Sequence, residues 1–211
     1  MRVKICGITN LDDAAEAVRL GAWAIGLIHF AESPRAVQAA EAVRISAAFR
    51  RKCELVGVFV NPELDEVAKA VEDLNLTMVQ LNGEEGPSFC GEVARKTGVK
   101  VIKAVHVSSA ADVHAAEAFR TDFHLFDKRG RGLWGGSGES FDWGLLRERR
   151  SQVPAIVAGG LRPENVAEAI AVTRPYAVDV ASGVEAEPGR KDHGAMTAFF
   201  EAAGVASVTA E

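Results

Sequence analysis

Ala155-Ile156-Val157-Ala158-Gly159-Gly160 and Ala177-Val178-Asp179-Val180-Ala181-Ser182-Gly183 each run from short apolar residues into a glycine turn late in the chain. A brief apolar run closed by a turn is the pattern of a strand covered on both faces. Where such strands end in glycine, bare backbone amides can cradle a phosphate dianion, although ordinary strand-to-helix turns use the same residues. Their place in the chain decides between two folds. An open dinucleotide-binding sheet carries GxGxxG directly after its first strand, and here the first strand runs into Cys6-Gly7-Ile8-Thr9 instead. Glycine turns after the seventh and eighth strands are where (β/α)₈ barrels hold phosphate.

Working outward, the apolar runs predict eight strands: Val3 to Ile8, Trp23 to Phe30, Leu55 to Val60, Thr77 to Leu81, Val99 to Val107, Phe123 to Asp127, Ala155 to Ala158 and Ala177 to Val180. Between them lie Ala-, Glu- and Arg-rich stretches of helical period. Their starts are marked by Asn10 or Asp12, by Asn61-Pro62 before Glu63 to Leu74, and by Arg162-Pro163 before Glu164 to Val172. Gly21 and Gly98 stand where helices 1 and 4 should stop. The alternation predicts a parallel α/β fold, a TIM barrel spanning residues 1–211 as one domain.

Composition narrows the function classes. A chain of 211 residues with 48% hydrophobic content can bury a sizeable core. A formal charge of -5 with scattered Lys and Arg argues against nucleic acid as a partner. No apolar run approaches a membrane span and the start lacks signal-peptide character, so a cytoplasmic protein is expected. Cys6, Cys53 and Cys90 include no CxxC pair, and His29, His106, His114, His124 and His193 show no ligand spacing. Neither a disulfide framework nor a metal site is predicted.

The chemistry of a barrel sits at the C-terminal ends of its strands. Cys6 closes strand 1 and can act as a general base, or serve as a small buried filler. Cys53 and Cys90 read as fillers. Asp127 closes strand 6 and can act as a general acid, or cap the following loop. The stretch Lys128 to Ser140 carries five glycines and reads as a lid or an ordinary surface loop. Arg35 after Ser33-Pro34 can grip a carboxylate with its planar fork, although a single arginine is more often a solvated charge. His29 and His106 lie near strand ends and read as satisfied structural histidines.

Taken in order, these residues resemble the phosphoribosylanthranilate isomerases of tryptophan biosynthesis. The resemblance spans nearly the whole chain. It is carried by Lys4-Ile5-Cys6-Gly7-Ile8-Thr9, Ser33-Pro34-Arg35, Val56-Gly57-Val58-Phe59-Val60-Asn61, Val79-Gln80-Leu81, Gly135-Gly136-Ser137-Gly138, Phe141-Asp142-Trp143, Ala158-Gly159-Gly160-Leu161, Asn165-Val166, Asp179-Val180, Ser182-Gly183-Val184-Glu185, Pro188-Gly189 and Lys191-Asp192. It implies an Amadori rearrangement without cofactor or metal, on a small sugar-phosphate substrate, by a monomer or homodimer. Cys6 would be the base, Asp127 the acid and Arg35 the holder of the anthranilate carboxylate. Gly159, Gly160, Ser182 and Gly183 would bind phosphate, with Asp179 near the same mouth. Three positions depart from the family pattern: Asn82 replaces the histidine of QLHG, Ala181 replaces a serine, and His29 ends strand 2. The alternatives are another sugar-phosphate barrel isomerase and a phosphate-binding barrel without turnover.

Overall fold

A computed structural model of the chain describes residues 1–128 and 140–205. Eight parallel strands close into a barrel in sequence order: β1 (Arg2–Cys6), β2 (Ala24–Ile28), β3 (Glu54–Phe59), β4 (Met78–Leu81), β5 (Lys100–Val107), β6 (Phe123–Lys128), β7 (Ala155–Val157) and β8 (Ala177–Val180). Closure comes from β1 pairing with β8, Arg2 opposite Ala177 through Ile5 opposite Val180. Seven helices surround it among the described residues: α1 (Leu11–Arg19), α2 (Ala39–Phe49), α3 (Leu64–Leu74), α4 (Pro87–Thr97), α5 (Ala110–Ala115), α6 (Val166–Thr173) and α7 (His193–Ala202). A small antiparallel hairpin, β9 (Glu185–Glu187) with β10 (Arg190–Lys191), follows β8.

The predicted strands are all present, most with ends shifted by one or two residues: β1, β3 and β6 each reach one residue beyond the expected range at one end, and β8 matches it at both. Strand β1 stops at Cys6 because Gly7 turns the backbone to φ +73. Asn10 is the cap of α1, its side chain accepting from the Asp13 amide. The helix expected from Glu164 begins only at Val166. Asn165 accounts for the delay: it accepts from the Arg162 amide and donates to the Gly160 carbonyl, which holds Arg162 to Asn165 as a turn. After β6 the described residues form a 3₁₀ stretch, Trp143–Glu148, capped by Asp142, where a full helix was expected. The predicted lid glycines Gly130, Gly132, Gly135, Gly136 and Gly138 lie outside the described residues.

Alternation along each strand sorts side chains to two cores. Val3, Ile5, Ile25, Leu27, Val79, Val101 and Val178 pack outward into the main helix-facing cluster. Cys6, Ala24, Val56, Met78, Ile102, Leu125 and Ile156 fill a second, separate cluster inside the barrel. At the N-terminal end, Trp23, Phe123 and Tyr176 stack edge-on or tilted with ring centres 5.1 to 5.7 Å apart, and the Arg2 guanidinium lies 4.3 Å over Tyr176. These rings floor the barrel, and the opposite end is left for chemistry.

Candidate active site

One cavity at the C-terminal end of the barrel is lined by Cys6, Arg35, Asp127 and Asp179 together with Gln80, Asn82 and Ala181. Four of the residues singled out in the sequence are thus brought together from β1, the loop after β2, β6 and β8. The glycine turns adjoin this cavity. A Cβ built on Gly159 would meet Asp127 Oδ1 and the Lys128 amide nitrogen at 2.7 Å, and one on Gly183 would meet the Leu161 carbonyl oxygen at 1.9 Å. The turns after β7 and β8 therefore touch each other beside Asp127 and Ala181.

Cys6 is 6% exposed at the end of β1. Two residues earlier on the same inward face, Lys4 is fully buried and its ammonium donates to Asp179 Oδ1 at 2.9 Å. A Cβ on Gly26 would stand 2.9 Å from Cys6 Sγ and 3.2 Å from Lys4 Nζ. The bare backbone of β2 is what lets thiol and ammonium share that space. Burial pushes the Cys6 thiol above its ordinary value, and Lys4 pulls against that shift without cancelling it. Burial also works against the Lys4 charge, but Asp179 and Cys6 outweigh it and hold the ammonium above its usual range. Cys53 and Cys90 are pushed by burial to about 11, in keeping with filler roles.

Asp127 has the reverse need. Burial raises its carboxyl to about 6, against the pull of His106 and with a further push from Asp179. A carboxyl at that value is partly neutral near physiological pH and can donate a proton. His106 sits opposite Asp127 in the β5–β6 register, with Nε2 3.1 Å from the Asn82 carbonyl oxygen. Asn82 accepts from Gln80 Nε2 at 3.1 Å, so the amide that departs from the family pattern faces the cavity. His29 stacks on Phe59 with centroids 4.9 Å apart. Its Nε2 lacks a hydrogen-bond partner among the described residues, so the expected satisfied histidine is corrected to a stacked, desolvated one. Burial holds its pKa below the usual value, which favours a neutral ring.

Arg35 is no solvated surface charge: its side chain is 13% exposed and paired with Glu185. Burial pushes Glu185 up, yet Arg35 and Lys191 more than offset it and hold the carboxylate below its usual range. Sequence reading passed over Lys4, Glu185 and Lys191 as working groups. Lys4 carried a usable signal, because a lysine on the inward phase of a strand buried on both faces requires a buried partner. Among the described residues no cluster of three or more His, Cys, Asp or Glu is arranged to hold a metal ion.

Gly159→Ala tests this packing. At φ +81 an added Cβ costs roughly 1–2 kcal/mol in backbone conformation and collides with the Asp127 carboxyl and the Lys128 backbone. A displacement of Asp127 by about 1 Å should lower kcat on the order of 10²-fold, read by steady-state kinetics on protein whose fold is checked by circular dichroism.

Residues 3–202 match the family model described as N-(5'phosphoribosyl)anthranilate (PRA) isomerase. An N-(5'-phosphoribosyl)anthranilate isomerase of Acidithiobacillus ferrooxidans is 47% identical over 201 residues, covering 94% of this chain and 95% of that protein. Among solved structures, a phosphoribosyl anthranilate isomerase in complex with reduced 1-(o-carboxyphenylamino)-1-deoxyribulose 5-phosphate is 40% identical. It has a TM-score of 0.83 and covers 97% of this chain and 98% of its own. A structure of monomers generated from the dimeric enzyme of Thermotoga maritima is 39% identical, with the same TM-score and coverage.

Proposed function

This chain belongs to the N-(5'-phosphoribosyl)anthranilate isomerase family, and from that premise we propose how its cavity works. The reaction is the aldose–ketose isomerisation of N-(5'-phosphoribosyl)anthranilate to 1-(2-carboxyphenylamino)-1-deoxyribulose 5-phosphate in tryptophan biosynthesis. The supporting observation is that a thiol and a carboxyl of elevated pKa open onto one cavity from different strands. Neutral Asp127 gives its proton to the furanose ring oxygen as the C1–O bond breaks, with the nitrogen lone pair forming the C1=N bond. The Cys6 thiolate then takes the proton from C2, and the C2–H electrons shift to give the enolamine, which tautomerises to the ketone. Protons move and no electrons are exchanged with a partner, so the balanced reaction calls for no redox cofactor.

Arg35 takes the anthranilate carboxylate in this reading, and Asp179 lies by the sugar while holding Lys4. The phosphate goes to the amides of Gly159, Gly160, Ser182 and Gly183. Positive φ at Gly159 and Gly160, +81 and +62, supports that assignment by turning the chain sharply at the end of β7. No helix among the described residues is long and apolar enough to cross a membrane. The same reading takes the chain as a cytoplasmic single-domain enzyme, monomer or homodimer, that engages neither nucleic acid nor membrane; the net charge of -5 supports the lack of a nucleic-acid partner, and the dimeric relative of known structure supports the homodimer.

The decisive experiment follows the fluorescence of freshly generated phosphoribosylanthranilate. Wild-type protein should remove it, and Cys6→Ala and Asp127→Asn should not. Persistence of fluorescence with folded wild type would favour a barrel that binds phosphate without turnover. The pH profile supplies a second check. An acid titrating at about 6 and a base above its ordinary 9.0 must act in reverse protonation. The working form, neutral Asp127 with Cys6 thiolate, is then at most roughly 10⁻³ of the free enzyme on the plateau. kcat/KM should fall as pH drops below about 6 and again as pH climbs past the thiol value. A profile whose acid limb survives unchanged in Asp127→Asn would sink the assignment.

A further inference from the structure

Arg35 meets Glu185 along one edge of its guanidinium. Nε donates to both carboxylate oxygens at 2.9 and 3.0 Å, and Nη2 donates to Oε2 at 2.7 Å. The same Glu185 accepts from Lys191 Nζ at 2.9 Å and from the Gly189 amide at 3.4 Å, and Lys191 Nζ also donates to the Ala181 carbonyl at 3.1 Å. Side-chain exposures of 13%, 4% and 0% for Arg35, Glu185 and Lys191 mean that the cluster is nearly dry. The stem of Arg35 lies close over the bare backbone of Gly7, where an added Cβ would stand 3.0 Å from its Cδ.

A guanidinium has two edges that can grip a carboxylate in bidentate fashion. Glu185 occupies the Nε/Nη2 edge. The Nη1/Nη2 edge has no acceptor among the described residues, and Arg35 lines the cavity with Cys6 and Asp127. Two cations around one carboxylate leave a surplus of one positive charge for a second carboxylate. Without Lys191, Glu185 would cancel the very charge that Arg35 offers.

We propose that Glu185 and Lys191 are positioning residues that fix the outer fork of Arg35 and preserve its charge, so that together they set the preference for a carboxylate on the aromatic amine of the substrate. This rests on the reading that Arg35 meets that carboxylate. It places specificity in two residues of the β9–β10 hairpin, the short antiparallel pair that follows β8.

The test compares two probes by calorimetry: reduced 1-(o-carboxyphenylamino)-1-deoxyribulose 5-phosphate and its counterpart with an unsubstituted phenylamino group. Wild type should prefer the carboxylated probe. Glu185→Gln should weaken that probe by about 10- to 100-fold, the value of one or two charged hydrogen bonds, and change the phenylamino probe by less than about threefold. KM for substrate should rise in step while kcat at saturation stays within about threefold of wild type. Because Glu185→Gln strands two buried cations, Glu185→Gln/Lys191→Met is run beside it. This pair keeps the net charge and should lose the preference equally. Equal weakening of both probes, or an unchanged preference in the folded double variant, overturns the proposal. Arg35→Met separates the two failures. If it erases the preference and the Glu185 variants do not, only the positioning role falls. If it leaves the preference intact, the reading of Arg35 falls and the proposal with it.

Discussion

Asp127→Asn lowers kcat by about 10²- to 10⁴-fold, the usual contribution of a placed general acid, while affinity for the reduced product analogue stays near that of wild type. The substitution keeps shape and one acceptor but removes the transferable proton. Arg35 and the turn after β8 stand on other loops, and Gly159 beside Asp127 keeps its neighbour because asparagine has the shape of the carboxyl. A second effect runs the opposite way. Burial raises the Asp127 carboxyl in the folded protein from 3.8 to about 6, so folding favours its protonated form. Stability is then lost as pH rises through this range, because the folded state must carry a desolvated anion. The asparagine has no such charge. Asp127→Asn should unfold at a higher urea concentration than wild type above pH 6 and lose that advantage below about pH 4. Near-wild-type turnover would remove Asp127 from the acid role; loss of turnover with lower stability at pH 7 would point instead to a structural carboxylate.

Lys4→Met destabilises the fold by about 3–5 kcal/mol, the expected cost of breaking a buried ion pair from one side. The ammonium is fully enclosed and the Asp179 side chain is 8% exposed, so Asp179 would be left charged with little water. Lys4→Met/Asp179→Asn removes both charges and should recover most of the loss in urea midpoint, since apolar or neutral replacements of a whole buried pair are often tolerated. The folded pKa of Lys4 lies above its ordinary 10.5. Its contribution is therefore complete below that pH and fades only as pH rises through the folded value, so a comparison at pH 7 reports all of it. A single variant as stable as wild type would show that Lys4 and Asp179 do not depend on each other.

The fold was legible because the barrel repeats one local rule. Each strand is a short apolar run, and glycines in the late turns distinguish a phosphate-binding barrel from a dinucleotide fold. Cys6, Asp127 and Asp179 were legible by the same rule, being polar groups at or near the ends of apolar strands. The sixth helical position was not. Trp143–Glu148 follows a glycine-rich stretch and forms 3₁₀ turns, a distinction that composition does not carry. Glu185 was also illegible as a partner of Arg35, because 150 residues separate them and no local pattern encodes such a pairing. Lys4 lay between these cases. Its motif was visible, and strand alternation put it on the face of Cys6, but its partner on β8 exists only once the barrel closes.

The side chains packed inside the barrel, with Trp23, Phe123 and Tyr176 at its N-terminal end, make the barrel a cul-de-sac among the described residues. Among the described residues substrate and product share one doorway, and turnover is a strict alternation of tenants. Product must leave before the next substrate enters, so it competes with substrate instead of occupying a station of its own. Nothing can be passed along the barrel axis to a second enzyme docked behind it; any hand-over has to take place on the catalytic face, through the solvent or across the loops that carry Arg35 and the β9–β10 hairpin.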